Sequence, residues 1–179
     1  MVGWLRETPR LMLAPIVVGV AALALYLLGT VPEHLQATTS VKEYSNLETA
    51  ESALGFKIAV PSYFPSYLAW PPAEIKGQLE PFPMVRMVFS AYDQHTETLL
   101  IYQIVSEQKN LPIALPWIES ILTETTVDIN GNAGQLLEGE RADGQRVNAV
   151  YWHSGGTHFI MVMTQPVREL LTLARSIKY

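Results

Sequence analysis

Apolar residues recur at helical spacing in "SNLETAESALG", where Leu47, Ala50 and Leu54 share one face. Ser45 followed by Glu48 forms a capping box and Gly55 suits a left-handed C-terminal cap, so the pattern predicts a short helix over 45–55. At Phe56 the period falls to two: Phe56, Ile58 and Val60 alternate with Lys57 and Ala59, which predicts a strand that Pro61 ends. Alternation returns in "PMVRMVFSAY" and again in "TLLIYQIVSE", with "DQHTE" between them as a turn, and the two read as a hairpin. "LPIALPWIESIL" is apolar but broken by Pro112 and Pro116, and predicts a loop leading into a short helical turn. Strands separated by "NGN", "DGQ" and "GG" follow and predict an antiparallel meander. In "PVRELLTLARSIKY", Pro166 suits a helix start, and Val167, Leu170, Leu171, Ala174 and Ile177 form an apolar stripe that needs a sheet to cover.

The N-terminal pattern has no period. "LMLAPIVVGVAALALYLLGTVP" runs uncharged from Leu11 to Pro32, and as a helix it measures roughly 33 Å, enough for a bilayer core of about 30 Å. Arg6 and Arg10 precede it, so the positive-inside rule predicts a single-pass protein of the cytoplasmic membrane with its N-terminus inside and its C-terminal part extracytoplasmic. The rival reading is a cleaved leader, whose best site, after Ala37, has Leu35 where a small residue is wanted. The expected organisation is a cytoplasmic tail (1–10), a transmembrane helix (11–32), a polar stalk (33–44) and an extracytoplasmic domain (45–179). The expected fold class is α+β: the membrane helix, then a curved antiparallel sheet with a short N-terminal helix and a C-terminal amphipathic helix.

Charge narrows the partners. Twelve basic and seventeen acidic side chains give a formal net charge of −5 with no basic stripe, which argues against nucleic acid. The absence of cysteine removes disulfides, thiolate metal sites and thiol nucleophiles. "WHSGG" lacks the first glycine of a nucleophile elbow, and phosphate loops, H-E-x-x-H and paired carboxylates are absent, so neither enzyme chemistry nor a cofactor is expected.

Two constellations remain. If Gly155 and Gly156 are the central residues of a tight turn, His153 lies across from His158, either as a polar cross-strand pair or as a pair able to share a divalent metal or titrate together. The segment "GFKIAVPSYFPSYLAW" holds Tyr63, Phe64, Tyr67 and Trp70, which either lock a strand onto the sheet or, with Trp152, line a groove for a lipid, a peptide or a partner strand.

The residues Gly55, Phe56, Ile58, Pro61, Ser62, Tyr63, Pro65 and Tyr67 resemble a "GF.I..PSY.P..Y" motif, and "LLIYQ" (Leu99 to Gln103), Val150 to Trp152, Gly155 and Gly156 and "VRELLTLARSI" continue the likeness. The pattern is similar to a bacterial domain of unknown function at the extracytoplasmic end of membrane-bound anti-sigma-factor-like proteins. That resemblance covers roughly 45–179 and implies signalling by contact with another envelope protein. Met1 to Arg10 is too short to grip a sigma factor, so a regulatory accessory is expected rather than a self-contained anti-sigma factor. A further likeness to open half-barrels that carry lipoproteins is fold-level analogy and implies the alternative, a lipid or hydrophobic-ligand carrier using the concave sheet face.

Overall fold

A computed structural model describes residues 41–92, 97–108, 111, 115 and 117–178, which belong to one compact unit spanning 39–179. The strands are β1 (Lys42–Glu43), β2 (Glu74–Gln78), β3 (Met84–Ser90), β4 (Glu97–Val105), β5 (Ser120–Ile129), β6 (Asn132–Glu140), β7 (Arg146–Ser154) and β8 (Thr157–Met163). The helices are α1 (Leu47–Leu54) and α2 (Val167–Ser176). All neighbours pair antiparallel in one open sheet of order β1-β2-β3-β4-β8-β7-β6-β5. After β4 the chain crosses to the far edge, and the β5–β8 meander then returns to pair with β4.

This architecture corrects the expected class. Among the described residues the chain is mostly one open eight-stranded antiparallel sheet carrying two short helices, rather than the α+β arrangement expected. Among the described residues no helix is long and apolar enough to cross a membrane. The span expected at 11–32, the tail before it and residues 33–40 of the stalk lie outside the described residues, as does the 93–96 turn.

Local chemistry accounts for the other differences. Asn46 rather than Ser45 caps α1, its Oδ1 accepting from Thr49 N at 2.9 Å, while Gly55 closes the helix at φ 76° as its position predicts. Residues 56–60 alternate like a strand but join no ladder. Ile58 N donates to Glu51 Oε1 at 2.9 Å, Ala59 N donates to Gln103 Oε1 at 2.9 Å, and Gln103 Nε2 donates back to Ala59 O. Side chains thus take the place of a neighbouring strand, and the segment lies across the sheet instead of within it. Two strands fall where none is expected, β1 in the polar stalk and β2 after the prolines. The "ESIL" stretch read as a helical turn is the start of β5, which begins at Ser120 because β6 is long enough to pair with it.

The sheet buries both faces. On one, Val85, Met87, Phe89, Leu99, Ile101, Val150, Trp152, Phe159, Met161 and Met163 pack against Ala50 and Leu54 of α1, Ile58 and Leu68, and Leu170, Leu173 and Ala174 of α2. Gly77 lets α1 approach here, since a Cβ at that position would stand 2.8 Å from a Leu54 methyl. The opposite face is smaller. Val88, Leu100, Leu137, Val147, Ala149, Ile160 and Val162 lie under Leu115, Trp117 and Ile118 of the β4–β5 connection.

Candidate functional site

The aromatic corner, residues 61–72, is fixed at both ends by backbone contacts. Pro61 bridges Ile177, and Ser62 N and Oγ both donate to Ser176 O, at 3.0 and 2.8 Å, which ties the corner to the end of α2. Farther on, Ala69 N donates to Ser90 O and Tyr92 N to Tyr67 O, so the chain leaves along the end of β3. Between these anchors the four aromatics separate by depth. Phe64 points inward, its ring 4.9 Å from Phe89, and Trp70 stacks over Phe89 at 6.1 Å with Phe64 edge-on to it at 5.6 Å. Trp70 nevertheless stays 49% exposed, Tyr63 44% and the adjoining Tyr92 61%.

Tyr67 is half-buried, with the Glu169 carboxylate near its hydroxyl. Burial first, and then the nearby Glu169 carboxylate, push its phenol far above the usual value, so it stays protonated. Beside it a shallow cleft of about 470 Å³ is lined by Tyr63, Pro166, Arg168, Glu169 and Thr172. Trp152 does not join this rim. It is fully buried under the helices, stacked 5.0 Å from Phe159, so it cannot line a groove, and it belongs to the core.

The histidines lie on the smaller face. Gly155 and Gly156 adopt φ 56° and 75°, the left-handed pair that a two-residue hairpin turn requires, and His153 stands opposite His158 with ring centroids 4.4 Å apart. His158 is fully buried. Its Nε2 donates to Gln108 O at 2.6 Å, which leaves Nδ1 to accept from the Tyr151 hydroxyl at 2.9 Å. Burial lowers its pKa, partly offset by the Gln108 carbonyl, so the neutral tautomer with the proton on Nε2 is the stable one. With both nitrogens committed, His158 offers no lone pair to a metal or a substrate. His153 Nε2 is buried without a partner. Among the described residues no three histidine, aspartate or glutamate side chains converge as a metal site.

The sequence missed the polar half of this second face, where Glu74 Oε1 accepts from Arg86 Nη1 at 2.6 Å and Glu74 Oε2 from Lys76 Nζ. Only the pairing of β2, a strand with no clear periodic signal, brings these charges together. It also missed Arg141 over the Trp117 ring at 5.2 Å, a contact between segments 24 residues apart in sequence that no local pattern encodes.

Compared with protein-family models, curated proteins and solved structures, the chain matches none. The anti-sigma-like resemblance therefore rests on its short motifs alone.

Proposed function

We propose that the domain is a non-catalytic binding module that works as a regulatory accessory by docking a second, different protein on the aromatic corner. The observation that carries the reading is the exposure of Tyr63 and Trp70 on a segment fixed at both ends, with Tyr92 exposed beside it past the end of β3, where its hydroxyl accepts from Trp70 N at 3.5 Å. Scattered exposed aromatics are ordinary, but two from one corner and a third beside it, with Trp70 backed by the Phe64 and Phe89 rings, form a surface of the composition that dominates protein interfaces. Because the Trp70 ring and the corner's backbone are already held, docking there costs little ordering entropy. Arg168 and Glu169 in the adjoining cleft add one cation and one anion, which suits a polypeptide better than an acyl chain.

The covering of the larger face weighs against the carrier alternative. That face is packed by α1, α2 and the 56–60 segment, and the side chains beneath them are buried, which leaves an acyl chain no room there.

A photo-crosslinking amino acid at Trp70 or Tyr92 of the full-length chain, activated in cells, tests the reading. The expected result is one discrete adduct of a different protein, absent when the probe stands at Asp143 in the exposed β6–β7 turn, and reduced at least about tenfold by Tyr63→Ala, as loss of a hot-spot side chain predicts. Equal labelling from positions 70, 92 and 143 overturns it.

A further inference from the structure

The two edges of the sheet differ. β1 is two residues long, Lys42 and Glu43, both charged and exposed, as protected edges are. β5 at the other edge is ten residues, "SILTETTVDI", with no lysine, arginine or proline, and every residue from Ser120 to Thr126 is exposed. Its one irregularity is a register shift between Ile121 and Thr123, which leaves Thr123 to Ile129 unbroken. Ile121 and Leu122, at the start of the strand, are 53% and 50% exposed.

The geometry points to β5 as a self-pairing edge: two copies of this chain join antiparallel about a twofold axis at Thr125, extending each sheet through the other. The surface is distinct from the aromatic corner and does not rest on the proposed docking there.

The phase of the ladder follows from the hairpin turn. Asn130 and Gly131, at φ 54° and 84°, are the two central residues, so Ile129 and Asn132 close the hairpin and exchange hydrogen bonds. Counting back, the backbone groups of Val127 and Thr125 point at β6, and those of Asp128, Thr126 and Glu124 point outward. A twofold pairing must keep each side chain on its own face, so the axis passes through a residue rather than between two. Three central axes are available. An axis at Glu124 sets Glu124 opposite its own copy, and one at Thr126 sets Glu124 opposite Asp128, each a like-charge pair that destabilises a sheet. The axis at Thr125 sets Glu124 opposite Thr126 twice, Thr123 opposite Val127 twice, and Thr125 opposite itself.

A pairing of the first kind already exists within one copy. Between β5 and β6, Thr123 Oγ1 donates to Glu138 Oε1 at 3.1 Å, the kind of threonine-to-carboxylate contact that the axis would create for Thr126 and Glu124, with the Thr126 hydroxyl exchanging its long 3.4 Å bond to Gln135 Oε1 for the carboxylate. The strand is thus complementary to itself in one register. A five-residue ladder without a large apolar footprint makes a weak, concentration-dependent dimer.

A chain without cysteine makes the register readable. At the axis, Thr125 faces its copy as a non-hydrogen-bonded pair with Cα atoms about 4.5 Å apart, within disulfide reach. Full-length Thr125→Cys, oxidised in detergent solution, is expected to give a covalent dimer. Glu124→Cys and Thr126→Cys each stay monomeric alone and cross-link when mixed. In sedimentation of the cysteine-free protein, Thr125→Lys, which sets two ammonium groups on the axis, is expected to raise the dimer dissociation constant at least about tenfold. Thr126→Pro, which removes only an outward N–H, gives the same loss without the added charge. Three outcomes overturn the proposal: Thr125→Cys cross-linking no faster than an Asp143→Cys control, Glu124→Cys dimerising alone, or β5 pairing with a strand of another protein while this chain stays monomeric.

Discussion

The two faces of the sheet are covered by different means. The helix-covered face is closed by α1, α2 and a strapped irregular segment, and it holds the largest side chains, Trp152, Phe89, Phe159 and Met87, with almost no exposure. Among the described residues the other face is covered by Leu115, Trp117 and Ile118, outside any helix or strand, and this cover rests on a smaller aliphatic cluster, on the Gln108–His158–Tyr151 chain of hydrogen bonds and on Arg141 over Trp117. Apolar burial scales with area and needs no alignment, whereas a polar tether is specific and depends on protonation. Stability is therefore concentrated on one face and condition dependence on the other, and the surfaces open to partners are left to the rim and edge.

The sharpest break in that comparison is a pair of truncations. Trp152→Ala, beneath the helices, is expected to cost about 3–5 kcal/mol, and Leu137→Ala on the opposite face about 2–3 kcal/mol, since the second site is shallower and closes more readily. Urea unfolding of the two variants, compared through their midpoints, checks the order. A larger loss at Leu137 would reverse the assignment of faces. Next in size is Gln103→Leu. It keeps the volume but strips the partly buried Ala59 N and O of their side-chain partners, at about 1 kcal/mol each. Hydrogen exchange at Ala59 should rise sharply in the variant even where the rest of the sheet stays protected.

Gln103 also shows where sequence reading stops. The alternation that marks β3, β4 and β7, and the Asn-Gly, Asp-Gly and Gly-Gly turns, are local signals, so the meander and the His153–His158 pairing could be read from spacing. The stripe on α2 was legible too, although Leu173, fully buried, was left off it. Residues 56–60 carry the same period of two yet form no strand, because their hydrogen-bond partners are side chains 7 and 44 residues away. β1 and β2 lack periodicity and exist through pairing alone. Of the candidate groove, Tyr63 and Trp70 reach the surface while Trp152 does not. Period fixes which face of its strand Trp152 occupies, but only the tertiary cover of that face decides whether the position is a groove or a core.

Acid should act on the loop-covered face first. Burial holds the His158 pKa below its unfolded value of about 6.5, so below that pH the unfolded chain binds the proton more readily than the native one. The contribution is fully present above about pH 6.5 and is lost as pH falls toward the folded pKa. The groups facing the ring are the Tyr151 hydroxyl, the Gln108 carbonyl and His153. His158→Gln removes the titration while keeping a donor for Gln108. Stability of the native chain is expected to fall between about pH 7 and 5 more steeply than that of the variant. Parallel curves would show that the tether does not set the acid response.

The smallest effect separates rim from core. Tyr63 is exposed over two-fifths of its surface and makes none of the ring contacts that hold Phe64 and Trp70, so Tyr63→Ser is expected to shift unfolding by no more than about 0.5 kcal/mol. Cross-linking from position 70 should nonetheless fall, because a hot spot contributes to the complex without contributing to the fold. A change in stability as large as that of Leu137→Ala would make Tyr63 part of the core after all. The aromatic corner would then be a device for leaving the sheet and not a surface for binding.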